Sequence, residues 1–210
     1  MNDCRSVKPA LDLRRRVLDA SLGLIASEGL EAFSMREVAR RAGVSHQAPY
    51  HHFPDREAIM AAIVAEGFSM LAEDTRAAGE GAPDAYARLN RIGKAYLSFA
   101  LAHPAHFKLM FRSEWVKAEK HEEASACAEG AFAVLSEAIA AISKAEARPM
   151  DNPLLMMAWS LAHGLATLML EGKVERAVGE GGDRALAEAV FDRFEAMLRA
   201  SAGSGARQLQ

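Results

Sequence analysis

The 210 residues are 50% hydrophobic and 25% charged, a balance that excludes a disordered tail and is long enough to bury a core of one domain, or of a small domain joined to a larger one. The formal net charge of -3 argues against wholesale binding of nucleic acid or of anionic membrane, although a sum over the chain conceals local placement. Two cysteines, Cys4 and Cys127, form neither a disulfide framework nor a CxxC metal pattern, so a reducing cytoplasm is the expected setting.

The opening MNDCRSVKPA lacks the apolar stretch of an export signal, and residues 1–10 are expected as a flexible tail. From Leu11 to Ser27, Val17, Ser21, Leu24 and Ile25 recur at helical spacing, and Gly29 ends the run. Ser34-Met35-Arg36-Glu37 reads as a capping box, with Ser34 taking the Glu37 amide and the Glu37 carboxylate reaching back to the amide of Ser34. Met35, Val38, Ala39 and Ala42 give the next short helix one apolar face. Gly43 stops it, Val44 offers an apolar anchor, and Ser45 is expected to cap a third helix barely two turns long. Asp55, after Pro54, caps a fourth helix with Ile59, Met60, Ile63, Val64, Phe68 and Leu71 on its apolar positions.

Two short capped helices joined at a glycine make a helix-turn-helix, whose second helix enters the DNA major groove. That second helix lies within GVSHQAPYHHFPDRE, residues 43–57. On a helical wheel His46, Gln47, Tyr50 and His51 share one side, whereas Pro49 and Phe53 turn toward the core. Gln reads adenine with two hydrogen bonds, Tyr and His donate to phosphates, and Ala48 suits a thymine methyl. Arg56 stands at the amino end of helix four, where free amides favour a phosphate. A metal site at His51-His52 is disfavoured because neighbouring helical residues point about 100° apart.

Residues 11–64 resemble the amino-terminal domain of TetR-family transcriptional regulators. The matching residues are Val17-Leu18, Ala20, Leu24-Ile25, Glu28-Gly29, Ser34 to Ala39, Ala42-Gly43-Val44-Ser45, and Tyr50 to Ala58. The resemblance implies phosphate contacts from Tyr50, His52 and Arg56. It places Ser34 and Ser45 at helix ends beside the backbone, His46, Gln47 and Ala48 at base edges, and Arg36 and His51 in the same DNA-facing set. Pro49 stands where the family more often has leucine. Proline pushes the preceding Ala48 away from helical angles, so this helix is expected to start late or to form a tight turn.

After Ala78-Gly79-Glu80-Gly81-Ala82, Pro83 is expected to start a helix that Tyr86, Leu89, Tyr96, Leu97, Phe99 and Ala100 make apolar on more than one face. His103-Pro104 breaks it. A short helix follows through Phe107, Leu109, Met110 and Phe111, then a longer one from about Lys117 to Ala145. Residues 152–170, NPLLMMAWSLAHGLATLML, carry no formal charge; a buried helix is preferred to a membrane span because of its polar and small residues. A turn around Gly179, Gly181 and Gly182 leads to a last helix with Leu186, Val190, Phe194, Met197 and Leu198. SAGSGARQLQ, residues 201–210, is expected to be disordered. No internal repeat is evident.

The second half is similar to the WHG-type branch of the TetR carboxy-terminal domains, through Ala95-Tyr96-x-x-Phe99 to Phe111 and Trp159-x-x-x-His163-Gly164-Leu165-Ala166. The fold class expected is therefore all-α, with a helix-turn-helix domain at 11–57 and a larger helical ligand-binding and dimerisation domain at 58–200. Small residues Ala158, Ala162 and Ala166, paired with Leu186, Val190, Phe194 and Met197, are expected to face a symmetric copy in a four-helix dimer interface. The expected effector pocket draws on Phe68, Tyr96, Phe99, Phe107, Met110, Trp115, Phe132, Trp159 and His163, since aromatics with methionine suit a bulky, mainly apolar molecule.

The function expected is a cytoplasmic, homodimeric repressor, released from inverted-repeat double-stranded DNA by a small-molecule effector, with no cofactor, no metal and no membrane partner. Two other readings stand beside it. One is a DNA-binding dimer that senses nothing, its aromatics serving only as core. The other is a helical metal-dependent enzyme using His103, His106 and His163, or an acid-base pair of His103 with Glu114 or Glu122. No nucleophile motif, phosphate-cradling loop or zinc signature favours the enzyme, and GEGGD at 179–183 reads as a turn.

Overall fold

The computed structural model describes residues 8–112, 114–117, 120–147, 149–178 and 184–205. Among them are nine α-helices and one short 3-10 turn, and no strand. The chain divides into two units, one of residues 1–68 with 103–128, the other of 69–102 with 129–210. Helix α1 (Lys8–Glu28) begins inside the expected amino-terminal tail, and α9 (Arg184–Gly205) runs into the expected carboxy-terminal one. The rest of both expected tails, 1–7 and 206–210, and the glycine turn at 179–183 lie outside the described residues.

In the first unit, α1 turns Val17, Leu18, Ser21, Leu24 and Ile25 inward, all buried. The Ser21 hydroxyl donates to the Val17 carbonyl at 2.7 Å, which satisfies a polar group that is otherwise costly to bury. Helix α2 (Met35–Arg41) packs on α1 and buries Val38 and Ala39. It ends at Gly43, whose φ of +66° belongs to the left-handed region that glycine enters without strain. Gly43 N–H bonds the Arg40 carbonyl at 3.2 Å and Val44 N–H the Ala39 carbonyl at 3.1 Å, the paired bonds of a Schellman stop. Arg16, reaching over from α1, donates to the Ala42 carbonyl at 2.5 Å and so braces this turn.

Helix α3 (Arg56–Gly79) spans both units; its first half places Ile59, Met60, Ile63 and Val64 in the core of the first. Helix α5 (Pro104–Met110) packs on α1 and buries Phe107, Leu109 and Met110. Gly67 of α3 lets the two helices approach closely, because a Cβ there would lie 2.7 Å from the Met110 sulfur.

In the second unit, α4 (Ala85–Ala102) is central, packed on α7 (Asn152–Leu170) and α9. It begins two residues after Pro83, not at it, since Asp84 is the residue that caps it, accepting from Ala87 N–H at 2.9 Å. Leu89 and Ile92 of α4, Val134, Ala138, Ile139 and Ile142 of α6 (Glu122–Ala145), and Leu154, Leu155 and Ala158 of α7 form one buried cluster. Helix α6 thus starts later than expected from Lys117. Helices α6 and α7 are long and apolar enough to cross a membrane by length and composition alone, yet both direct apolar residues into this core. A short helix absent from the sequence reading, α8 (Lys173–Val178), packs on α7.

Candidate nucleic-acid interface and sensor residues

The segment after Gly43 is a 3-10 turn, Ala48–His51, rather than a two-turn α-helix. Pro49 explains the change: it has no amide to donate and it restrains Ala48. Ala48 N–H bonds the Ser45 carbonyl at 3.0 Å, Tyr50 N–H the Gln47 carbonyl at 3.2 Å, and Phe53 N–H the Pro49 carbonyl at 2.9 Å. The cap position is Gln47, without a side-chain cap bond, so Ser45 contributes its carbonyl and not the hydroxyl cap expected of it.

Buried Pro49 and Phe53 anchor the turn from beneath. Above them Ser45, His46, Gln47, Tyr50 and His51 are exposed, with Ala48 and His52 half-buried. The rings of His46 and Tyr50 sit 5.8 Å apart, so the two side chains form one ridge. Ser34 caps α2, accepting from Glu37 N–H at 3.2 Å. The other half of the capping box is replaced: the Glu37 carboxylate turns to Arg40 and Arg41 instead of back to Ser34. Those two guanidiniums hold its carboxyl down to about 2. Arg36, on the same helix, is exposed and has no such carboxylate partner among those described.

Asp55 caps α3, accepting from Ala58 N–H at 2.8 Å, which leaves Arg56 exposed at the helix start. The Arg56 guanidinium lies over the Trp115 ring, 5.2 Å from its centroid. Nearby, Glu66 accepts from Arg15 at 2.6 Å and contacts His106 Nε2 at 3.2 Å, tying α3 to α1 and α5. Burial raises the Glu66 carboxyl, but its bonds to Arg15 and His106 outweigh that and set it below the usual range. Burial lowers His106 despite the attraction of Glu66.

The expected effector residues fall into two groups. In the first unit Phe68, Phe107 and Met110 are buried, and Phe111 packs against Phe68 at 5.6 Å and Phe107 at 5.3 Å between ring centroids. In the second, Phe99 is 1% exposed and belongs to the core. Tyr96, Trp159 and His163 come together there. The Tyr96 hydroxyl lies 2.9 Å from His163 Nδ1 and is also hydrogen-bonded by Trp159. Burial raises Tyr96 and lowers His163, so both are held neutral. Phe132, 41% exposed, meets Trp159 edge to face at 5.6 Å. His103 and His106 lie with ring centroids 5.9 Å apart, His106 contacting Glu66, while His163 meets Tyr96; no group of three metal-ligating side chains is present among the described residues.

The partner face expected on α7 and α9 divides as well. Ala158, Ala162 and Ala166 are buried within the chain itself, Ala158 in the cluster shared with α4 and α6, so the stripe presents no exposed face. Leu186, Val190, Phe194 and Met197, with Leu161 of α7, line an open apolar groove of about 310 Å³. Met157, Leu168 and Met197 are among the most exposed large apolar side chains.

Residues 17–63 match the family described as bacterial regulatory proteins, tetR family, and residues 89–194 match the tetracyclin repressor-like, C-terminal domain. The latter description does not carry the WHG label of the expected branch. The chain is 34% identical over 82 residues to the HTH-type transcriptional repressor KstR of Mycolicibacterium smegmatis, 39% of this chain and 40% of that protein. It is 32% identical over 79 residues to the HTH-type transcriptional regulator BetI of Rhizobium meliloti, 38% of this chain and 39% of that one. The matched stretch thus spans about two fifths of these relatives. A solved protein with unknown function from Rhodococcus sp. RHA1 superposes with a TM-score of 0.71 at 29% identity, covering 87% of this chain and 93% of the other. The fold is shared with a TetR family transcription regulator from Marinobacter aquaeolei VT8, at a TM-score of 0.65, 18% identity, and coverage of 86% and 92%. With family matches over both the braced turn and the helices behind it, the chain belongs to the TetR family of helix-turn-helix transcriptional regulators.

Proposed function

We propose that this regulator is a non-enzymatic homodimer that represses transcription from an inverted-repeat operator and is released by a mainly apolar small molecule. The observation that carries the DNA reading is the exposed ridge of His46, Gln47, Tyr50 and His51 on a turn fixed from below by Pro49 and Phe53. In it Gln47, His46 and Ala48 read base edges, while Tyr50, His51, His52 and Arg56 hold phosphates, with Ser34, Arg36 and Ser45 beside the backbone. Repression is favoured by the name of the KstR relative.

Dimerisation rests on the open groove and on Met157, Leu168 and Met197, since a contiguous apolar face on a helix pair marks an association surface. Two copies related by a two-fold axis present two reading turns, which fit successive major grooves when about 34 Å apart. The sensor reading rests on Tyr96, Phe132, Trp159 and His163: three aromatic faces with one neutral polar pair suit an apolar molecule bearing a single hydrogen-bonding group. An effector that favours a form with altered spacing weakens DNA binding by linkage.

The test is selection of bound duplexes from a random pool at two salt concentrations. Recovery of one inverted repeat that outlasts bulk DNA at the higher salt supports a sequence-specific dimer. Recovery of half-sites without symmetry refutes the dimeric operator, and recovery of nothing from a folded dimer refutes the reading ridge in the effector-free protein.

A further inference from the structure

We propose that Trp115 is a positioning residue for DNA binding, holding the Arg56 guanidinium in a set orientation at the amino end of α3. This rests on the reading of Arg56 as a phosphate contact.

A free arginine at a helix start points in many directions, and immobilising it is among the larger side-chain entropy losses. Here the guanidinium lies over the indole, 5.2 Å from the ring centroid. A cation over a ring is attracted by the ring's negative face, and arginine carries five N–H donors, more than one such contact can occupy. The contact therefore restrains Arg56, and no carboxylate or carbonyl among the described residues takes its N–H donors, which leaves them to a phosphate.

Trp115 is itself held. Its amide bonds the Arg112 carbonyl at 3.0 Å, and the Val116 amide bonds the same carbonyl at 3.3 Å. Val116 is 5% exposed and pins the segment to the core of the first unit. A second contact reaches the same helical turn: His121 Nε2 lies 3.4 Å from Glu57 Oε1. That contact engages the one carboxylate in the first turn of α3, next in sequence to Arg56, where an unengaged acid would repel a phosphate. The chain after α5 thus touches the start of α3 at two adjacent residues, Arg56 and Glu57. A shift of α5 and the residues behind it reaches a phosphate contact directly, without passing through the length of α3.

The experiment is a double-mutant cycle on the full-length protein, with Kd for the selected duplex measured across a salt series. Trp115→Phe keeps an aromatic face; Trp115→Leu keeps apolar bulk without one, and each variant is first checked for wild-type helical content and melting. Trp115→Leu is expected to weaken binding roughly two- to fivefold per half-site, the worth of an exposed cation over a ring. Trp115→Phe should recover most of that loss, and Trp115→Leu should cost nothing further in an Arg56→Ala background. Equal losses for Phe and Leu, or a Leu effect that persists in full with Ala at 56, would overturn the positioning role. If Arg56→Ala alone leaves both Kd and the salt dependence unchanged, the phosphate contact fails, and with it the premise. That outcome is distinct from a sensitive Arg56 beside an indifferent Trp115, which sinks only the proposal.

Discussion

Gly93→Ala tests how tightly α4 and α9 are fitted. A Cβ at Gly93 would lie 2.6 Å from two carbons of the Phe191 ring and 3.5 Å from a third. Phe191 is 3% exposed, so the flat ring has little room to retreat. Inserting a methyl into such a contact costs about 1–3 kcal/mol. Alanine in a helix interior returns roughly 0.5–1 kcal/mol relative to glycine. The net expectation is a loss of up to about 2.5 kcal/mol, which lowers Tm by up to about 10 °C in a chain of this size.

Gly67→Ala is the matched control, with the same added methyl and the same gain in helix propensity. Its nearest neighbour is the Met110 sulfur at 2.7 Å, the end of a flexible side chain that can rotate away. Half the Tm loss or less is expected there. Circular dichroism melts at one protein concentration measure both, since association of any kind makes Tm depend on concentration. A Gly93→Ala protein that melts higher than the parent, or a Gly67→Ala protein that loses more than it, refutes the reasoning. Phe191→Leu should restore part of the Gly93→Ala loss by vacating the clash.

Three further outcomes follow from the site. Tyr50→Phe should weaken binding to all duplexes alike, while Gln47→Ala should change which duplex is selected; a Gln47→Ala protein with an unaltered ranking of sequences would remove it from base reading. Met197→Lys, or Leu186→Glu, should give a monomer in sedimentation while retaining helical content, and an unaltered mass would count against the groove as the partner face. The third concerns acid. Burial favours neutral His106 in the folded state, so the unfolded chain binds the extra proton as pH falls below the ordinary histidine value of about 6.5. The Glu66 carboxyl is depressed, so its contribution is present above its unfolded pKa and disappears at lower pH still. Stability should therefore fall in two stages on acidification, and His106→Gln should reduce the upper one, to which half-buried His163 also contributes. A parent protein whose urea midpoint is flat between pH 7 and 5 would contradict this.

The helix ends were the most legible part of the fold, because each rests on local chemistry: Ser34 and Asp55 cap their helices and Gly43 closes α2. Pro49 likewise announced a tight turn where a helix is usual. Glu37 was misread because two arginines at i+3 and i+4 competed with the backbone for one carboxylate. The alanine stripe of α7 shows a different limit. Periodicity reveals that Ala158, Ala162 and Ala166 share a face, but not whether that face meets α4 of the same chain or a second copy. Small residues serve either purpose, and here all three are buried within one chain. The contact of Trp115 with Arg56 joins residues 59 positions apart, beyond any local rule.

The unit that carries the helix-turn-helix is not one continuous stretch of chain, since it takes residues 103–128 as well as 1–68. A hybrid regulator made by grafting residues 1–68 onto a foreign sensor would discard α5, leaving the partners of Phe107, Leu109 and Met110 bare. Each such burial is worth roughly 1.5–3 kcal/mol, so the graft forfeits a sizeable part of any small domain's stability. Modular exchange in this protein therefore has to carry two segments, or choose a recipient whose own counterpart of α5 offers the same three apolar side chains.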